Sequence, residues 1–505
     1  MADLFSGLSL LVSVENAVTV LIGTFVGIVV GAIPGLTPAV GMVLCIPLTF
    51  AMEPVPAILL LLSVYCAGTY GGSITAILIR TPGTPAAACT VLDGYPLARQ
   101  GRAREALDMA LLASVIGGVF SCIMLMVFAP QISKFTIHFS SIEYFMIAVF
   151  GLSVIISVSG KSLTKGFLAA GVGLFISCIG VDSQSAALRY TFGVPRLQSG
   201  IPIVIVLVGL FGVCELYNKA HEFSPRGGQK QEQLEMGKDQ KGFPLRKMIH
   251  YWKTLLISSL VGTGIGALPG TGAALSSFIS YDLAKRRSPH PETYGQGEMD
   301  GVCASECANN AVTSATLIPL LTLGIPGDSN VAILLGALTI HGLVPGPQLF
   351  QTQGPMMFAI MIGLLIVNIV MLVEGKLLVR LFAKVSRIPY PILAGLVAFF
   401  CVVGSYGTNN SYFSIYMALL FGVVGFLFHH WDFPVIPLML GLVLGNMLEQ
   451  NFRRAIVMCK GDYSMFFTRP ISLLFFLLTV ASIGLVLYKR YRKPRVAASQ
   501  TQPAQ

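Results

Sequence analysis

The sequence predicts an all-α, polytopic membrane protein, on its composition, the length of its apolar runs and the lack of alternation within them. Hydrophobic residues make up 54% of the 505 and charged residues 11%, with a mean hydropathy of +0.76. A soluble domain carries roughly 25% charged residues. Apolar stretches at 8–33, 55–79, 106–129 and 471–487 approach the ~20 residues that a helix needs to cross hydrocarbon. About a dozen such candidates, some short, can be counted along the chain. A membrane β-barrel would show ~10-residue segments alternating apolar and polar, and these runs do not alternate.

The net charge of +10 does not indicate a nucleic-acid partner, because Lys and Arg sit in short loops between apolar runs rather than on one face. Residues 1–8 lack the basic start of a secretory signal, so the first apolar run is kept as a span. The ten Cys are scattered, and those inside apolar runs, such as Cys45, Cys122, Cys178 and Cys401, read as small buried side chains. Cys303 and Cys307 can share a helix face but have no further Cys or His beside them to complete a metal site.

The chain reads as two related halves. Val26-Gly27 and Gly31-Ala32-Ile33-Pro34-Gly35 match Val261-Gly262 and Gly266-Ala267-Leu268-Pro269-Gly270 at a constant offset (266 minus 31 is 235). Further along, Arg80-Thr81-Pro82-Gly83-Thr84 answers Gly324-Ile325-Pro326-Gly327-Asp328 across a small gap. The expected organisation is a first membrane repeat at 1–218, a polar cytoplasmic linker at 219–250, a second repeat at 251–469, an extra membrane helix at 470–488 and a basic cytoplasmic tail at 489–505.

Charge placement orients the halves. Residues 1–79 contain no Lys or Arg, and then Arg80, Arg99, Arg102 and Arg104 appear together; residues 288–375 are equally bare, and Lys376, Arg380, Lys384 and Arg387 follow one span later. Basic loops mark the cytoplasmic side, so the two repeats have opposite topology. This scheme puts the N-terminus in the periplasm and the C-terminus in the cytoplasm, with Arg453 and Arg454 on the unexpected side.

Four Pro-Gly pairs fall within these apolar regions, at Pro34-Gly35, Pro82-Gly83, Pro269-Gly270 and Pro326-Gly327. Broken backbone at membrane depth is tolerated only where it faces protein or a wet cavity. Each pair is followed by a side chain able to cap a new helix: Thr37, Thr84, Thr271, and Asp328 with Ser329. Pro38 and Pro85 add the mark of a first helical position. Half-helix starts attract carboxylates, and unwound carbonyls can ligate a cation. An isolated pair would read as a surface loop; four in repeat-related positions read as a site. The glycines spaced four apart, Gly23 to Gly35 and Gly262 to Gly270, read as close helix packing.

The candidate solute contacts are therefore Pro34, Gly35 and Thr37 at the first break, Ser73, Arg80, Thr81, Pro82, Gly83 and Thr84 around the second, Pro269, Gly270 and Thr271 at the third, and Pro326, Gly327, Ser329 and Asn330 at the fourth. Glu306, Asn309 and Asn310 share one helical face in an otherwise apolar stretch. With Thr313 and Asp328 they are the candidates for a coupling ion. Arg80 can balance a carboxylate or simply anchor the inner headgroups.

Ser159-Gly160-Lys161-Ser162 resembles the end of a phosphate-binding loop, but Ile155 stands where the loop needs Gly. His429-His430 reads as an interfacial pair beside Trp431. A membrane-embedded enzyme would need a second acid beside Asp328, and a passive channel would not need four capped breaks.

The motifs Gly31-Ala32-Ile33-Pro34-Gly35-Leu36-Thr37-Pro38, Tyr70-Gly71-Gly72-Ser73-Ile74, Thr81-Pro82-Gly83-Thr84-Pro85, Asp93-Gly94-Tyr95-Pro96, Glu306-Cys307-Ala308-Asn309-Asn310-Ala311 and Leu323-Gly324-Ile325-Pro326-Gly327 resemble those of the large membrane subunit of the tripartite tricarboxylate transporter family. The resemblance covers nearly the whole chain. It implies a bacterial inner-membrane permease that carries citrate or another di- or tricarboxylate, works with a small four-helix membrane subunit and a periplasmic solute-binding protein, and has no organic cofactor. The driving ion would be sodium or the proton. Arg80, Ser305 and Asp300 depart from the usual pattern, where an amide, Pro and a basic residue are common. The alternative is a stand-alone ion-coupled carboxylate symporter.

Overall fold

A computed structural model describes residues 2–158, 162–182, 184–222, 242–385 and 390–492. Most of the linker, the phosphate-loop-like run at 159–161 and the tail beyond Arg492 lie outside the described residues. The fold is all-α apart from one short hairpin, and eight of the described helices are long and apolar enough to cross a bilayer.

The chain begins with α1 (Ala2–Leu11), then α2 (Val14–Gly31), α3 (Pro38–Thr49), α4 (Pro54–Ile79), α5 (Val91–Leu97), α6 (Ala103–Thr136), α7 (Ser141–Val158) and α8 (Leu163–Ser177). The hairpin pairs β1 (Gly180–Val181) with β2 (Leu188–Arg189). Next come α9 (Ile203–Leu207) and α10 (Cys214–Glu222), joined through a wider helical turn. The second half comprises α11 (Trp252–Gly266), α12 (Gly272–Arg287), α13 (Met299–Ala315), α14 (Leu317–Leu323), α15 (Ser329–Ile340), α16 (Leu349–Thr352), α17 (Gly354–Val385), α18 (Tyr390–Asn409), α19 (Tyr412–His430), α20 (Val435–Cys459), α21 (Met465–Thr468) and α22 (Pro470–Arg492).

The halves match element by element at their centres. Each has a helix that stops at a Pro-Gly turn (α2, α11), a short return helix (α3, α12), a long inner helix (α4, α13 with α14), a second break and another long helix (α6, α17). The second breaks correspond at a constant offset: Arg80 and Gly324 are both left-handed residues that stop a helix, and Thr84 and Asp328 both cap the next helical segment (324 minus 80 and 328 minus 84 are each 244). The offset exceeds that of the first breaks because both the return helix α12 and the loop between α12 and α13, residues 288–298, are longer than their counterparts.

The halves also interlock. α6 of the first half packs along α13 of the second, and α17 of the second packs along α4 of the first. Consequently α4 is buried along its length and α13 is buried except at Asp300. Interior position explains why α13 tolerates the run Ser305, Glu306, Asn309, Asn310, Thr313 and Ser314, since none of these side chains faces lipid. Lipid-facing helices such as α18 and α19 expose Leu396, Phe399, Leu420 and Val423 instead.

Candidate functional site

Each break places a backbone reversal beside an inner helix. After Ile79 the chain turns at Arg80, and Gly83 N then donates to Gly72 O at 3.1 Å, so the extended segment folds back about two turns along α4. In the second half, Gly270 N donates to Gly327 O at 2.7 Å, tying the third break to the fourth.

Three of the four expected caps form. Thr37 Oγ1 accepts from Val40 N at 3.4 Å, Thr84 Oγ1 from Ala87 N at 3.2 Å, and Asp328 Oδ1 from Val331 N at 2.8 Å. Thr271 does not cap α12. It stands between two left-handed glycines, Gly270 (φ 80°) and Gly272 (φ 71°), and its hydroxyl donates back to Ile265 O at 2.6 Å and Leu268 O at 3.0 Å. The second break also differs from expectation, because Thr84 starts only a 3-10 turn, Pro85–Ala88, ahead of α5.

All four breaks border one cavity of about 450 Å³, within the range of small-molecule sites. Thr37, Thr84, Gly270, Thr271, Asp328, Ser329 and Asn330 line it, and the first turns of α3, α12 and α15 open onto it. Three helix N-termini of 12 residues or more thus converge on one space, where aligned peptide dipoles favour an anion.

Several lining residues escaped the sequence reading. Tyr65 and Thr69 enter from α4, Glu215 and Asn218 from α10, and His429 from α19. Tyr65 donates to Asp328 Oδ2 at 2.7 Å, so that carboxylate is held by a phenol on one oxygen and by the start of α15 on the other. Lys219 lies against the first break, where a β-carbon on Gly35 would come within 3.3 Å of its Nζ. Their signal in the sequence is weak, since Glu215, Asn218 and Lys219 read as the edge of the polar linker and His429 as an interfacial residue.

Other candidates lie away from the cavity lining. Arg80 is exposed at the end of α4, with its guanidinium 5.8 Å from the Tyr95 ring. Thr81 and Pro82 are half-buried beside it, while Pro34, Gly83, Pro269, Pro326 and Gly327 support the turns from behind. Ser73 lies one helical turn beyond Thr69 and joins a separate buried cluster around Glu306. There Ser73 Oγ donates to Glu306 Oε1 at 2.6 Å, Thr90 Oγ1 donates to the same oxygen, and Ser114 Oγ reaches Oε2 at 3.2 Å. Asn310 Nδ2 donates to Ser114 Oγ at 2.8 Å, and Thr313 Oγ1 donates to Asn310 O at 2.8 Å.

Comparison with known proteins places this architecture. The family model described as the tripartite tricarboxylate transporter TctA family matches residues 18–440. An uncharacterized 52.8 kDa protein in the TAR-I ttuC′ 3′ region of Agrobacterium vitis is 34% identical, with 98% of each chain covered. An uncharacterized protein in the TAR-II ttuC′ 3′ region of the same organism is 35% identical over 234 residues, 46% of this chain and 97% of its own length. No solved structure matches. A match spanning most of the chain, over both halves and all four breaks, makes this protein a member of the tripartite tricarboxylate transporter TctA family, whose members are the large membrane subunits of such carriers.

Proposed function

We propose that the chain carries a small di- or tricarboxylate, citrate being the first to test, across the bacterial inner membrane, driven by an ion gradient and supplied by a periplasmic solute-binding protein. The observation that carries this reading is the convergence of α3, α12 and α15 on one cavity between the halves. Backbone N–H groups at these starts offer carboxylate oxygens a preorganised charge-complementary surface at low side-chain cost. Peptide dipoles recognise a carboxylate without discriminating the rest of the molecule, so the choice among carboxylates belongs mainly to the binding protein. A ligand screen of that partner by thermal shift identifies the solute, because a ligand bound to the folded state raises its stability by mass action.

Transport is tested in vesicles containing this chain and the small membrane subunit. Addition of the loaded binding protein is expected to start uptake, and full-rate uptake without it would refute the dependence. Gly327→Leu is expected to abolish uptake while the protein stays in the membrane, because a β-carbon there would come within 2.9 Å of Thr316 and displace the fourth break. Asn310→Ala should do the same by releasing Ser114 from its place beside Glu306. Normal uptake by both variants would move the transport pathway elsewhere.

A further inference from the structure

Glu306 is a carboxylate at the centre of a membrane protein with 0% exposure and, among the described residues, no cationic partner. Its oxygens meet only hydroxyls, from Ser73 on α4, Thr90 ahead of α5 and Ser114 on α6. Asn309 reaches toward the same carboxylate but outside hydrogen-bond geometry. A buried, unpaired negative charge is costly enough that such a group either takes a proton or holds a cation.

The surroundings favour the proton. Sodium sites in carriers of this build draw on carbonyls freed where a helix is unwound. Ser73, Ser114, Ser305 and Asn310 all lie inside continuous helices, whose carbonyls are engaged in the helical ladder. Thr90 O is likewise taken, by Gly94 N at 2.8 Å. The hydroxyls of Ser73, Thr90 and Ser114 stand at hydrogen-bond distance from the carboxylate and can each donate to its ionised form or turn to accept from its protonated form, so the cluster accommodates a proton without rearranging its heavy atoms.

The other titratable groups around Glu306 are committed elsewhere. Asp93 of α5 accepts from Gly295 N, Gly297 N, Glu298 N and Tyr281 of α12. Asp108 of α6 is paired with Arg104 and Lys376. Cys307 of α13 bonds Leu255 O of α11, and Cys89 bonds Ser277 O. Tyr70 of α4 and Cys303 of α13 are fully buried, while α14 carries no titratable side chain. Asp300 and Glu298 sit at the start of α13, two turns from Glu306.

Position supplies the coupling. Thr69 lines the anion cavity, and Ser73, the next residue on that face of α4, holds Glu306. A carboxylate solute and an ionised Glu306 therefore repel across one helical turn, so solute binding favours protonation and protonation favours solute binding by the same factor.

We propose that Glu306 is the proton-coupling residue of this transporter. Its carboxylate binds one proton from the periplasmic side as solute fills the cavity, and releases that proton to the cytoplasm as solute leaves. The inference rests on the carrier reading above and specifies its driving ion.

The test uses the complete system, with both partners, in vesicles prepared without sodium, to which either a pH gradient or a sodium gradient is then applied alone. The probe is radiolabelled citrate, or the carboxylate that best stabilises the binding protein if citrate does not. Wild-type vesicles are expected to accumulate solute when a pH gradient is imposed, by up to about tenfold per pH unit for each proton carried. Glu306→Gln, which mimics the protonated acid, should still exchange labelled for unlabelled solute but lose all accumulation. Accumulation by this variant under a pH gradient would overturn the proposal. So would loss of exchange together with accumulation in a variant that remains folded and assembled. Should the variant fail to fold, the wild type alone decides: accumulation driven by a sodium gradient and indifferent to pH would equally overturn it. Absence of any exchange in the wild type would instead refute the carrier reading.

Discussion

Arg80 occupies the left-handed region (φ 59°, ψ 18°) at the place that Gly324 (φ 74°) fills in the other half. A β-carbon in that conformation costs roughly 1–2 kcal/mol, which glycine avoids. The contact of the guanidinium with the Tyr95 ring returns only part of this, about 0.5–1 kcal/mol at an exposed site. Arg80→Gly is therefore expected to raise the unfolding temperature in detergent, by a gain of up to about 1 kcal/mol, and to leave uptake unchanged because the side chain lies off the cavity. A fall in uptake with intact folding would instead return Arg80 to the solute path. The same scale holds the ties that sequence could not reveal. Tyr65 with Asp328 and Ser114 with Glu306 join residues 263 and 192 positions apart, and neither pair follows from local spacing.

Breaks and long helices are the elements most legible in the sequence, because Pro and Gly act on their own backbone whatever surrounds them. Pro34-Gly35, Pro82-Gly83, Pro269-Gly270 and Pro326-Gly327 mark turns in the structure as they do in the chain. Thr271 shows where that reasoning stops. A hydroxyl after Pro-Gly resembles a cap, yet Gly272 adds a second left-handed residue and turns the side chain away. The correspondence of the halves was readable from the 235-residue offset, whereas the interlocking of α6 with α13 and α17 with α4 depends on tertiary packing alone. Close packing at the second break gives a test at this scale. A β-carbon on Gly83 would overlap Gly31 O and stand 2.9 Å from Gly72 Cα, and backbone cannot move aside as a side chain can. Gly83→Ala should therefore shift the break off α4 and cost about 1–3 kcal/mol, measured by unfolding in detergent, with uptake lost. Wild-type stability in that variant would mean that the two backbones are not in contact.

At the scale of the whole molecule, the expected topology gives Arg453 a place that loop charge alone did not. Arg453 pairs with Asp182 at 2.9 Å and Glu449 at 2.6 Å, and Arg189 joins the same two carboxylates. This Arg is neutralised within a hairpin-to-helix network, so its place on the face that the expected topology makes the outer one carries little weight as a charge signal. The network should also persist over the pH range of transport. Backbone N–H groups of Gln184 and Ser185, aided by Arg453 and Arg189, hold the Asp182 carboxyl down to about 2. A lowered carboxylate contributes its stability above its unfolded value of about 3.9 and loses it only as pH falls toward the folded value. The orientation itself is open to direct measurement, because Phe192 follows the hairpin at 78% exposure and His290 lies in the loop between α12 and α13, with its side chain 72% exposed. Nine of the ten native Cys are buried and Cys178 is half-buried, which keeps the labelling background low. With the N-terminus in the periplasm, the topology expected from loop charge places 178–202 outside and 288–298 inside. A membrane-impermeant maleimide applied to whole spheroplasts should then label Phe192→Cys at once and His290→Cys only after the membrane is opened. The opposite order would invert the molecule, put the basic loops at Arg99–Arg104 and Lys376–Arg380 outside, and direct proton entry to Glu306 from the other face.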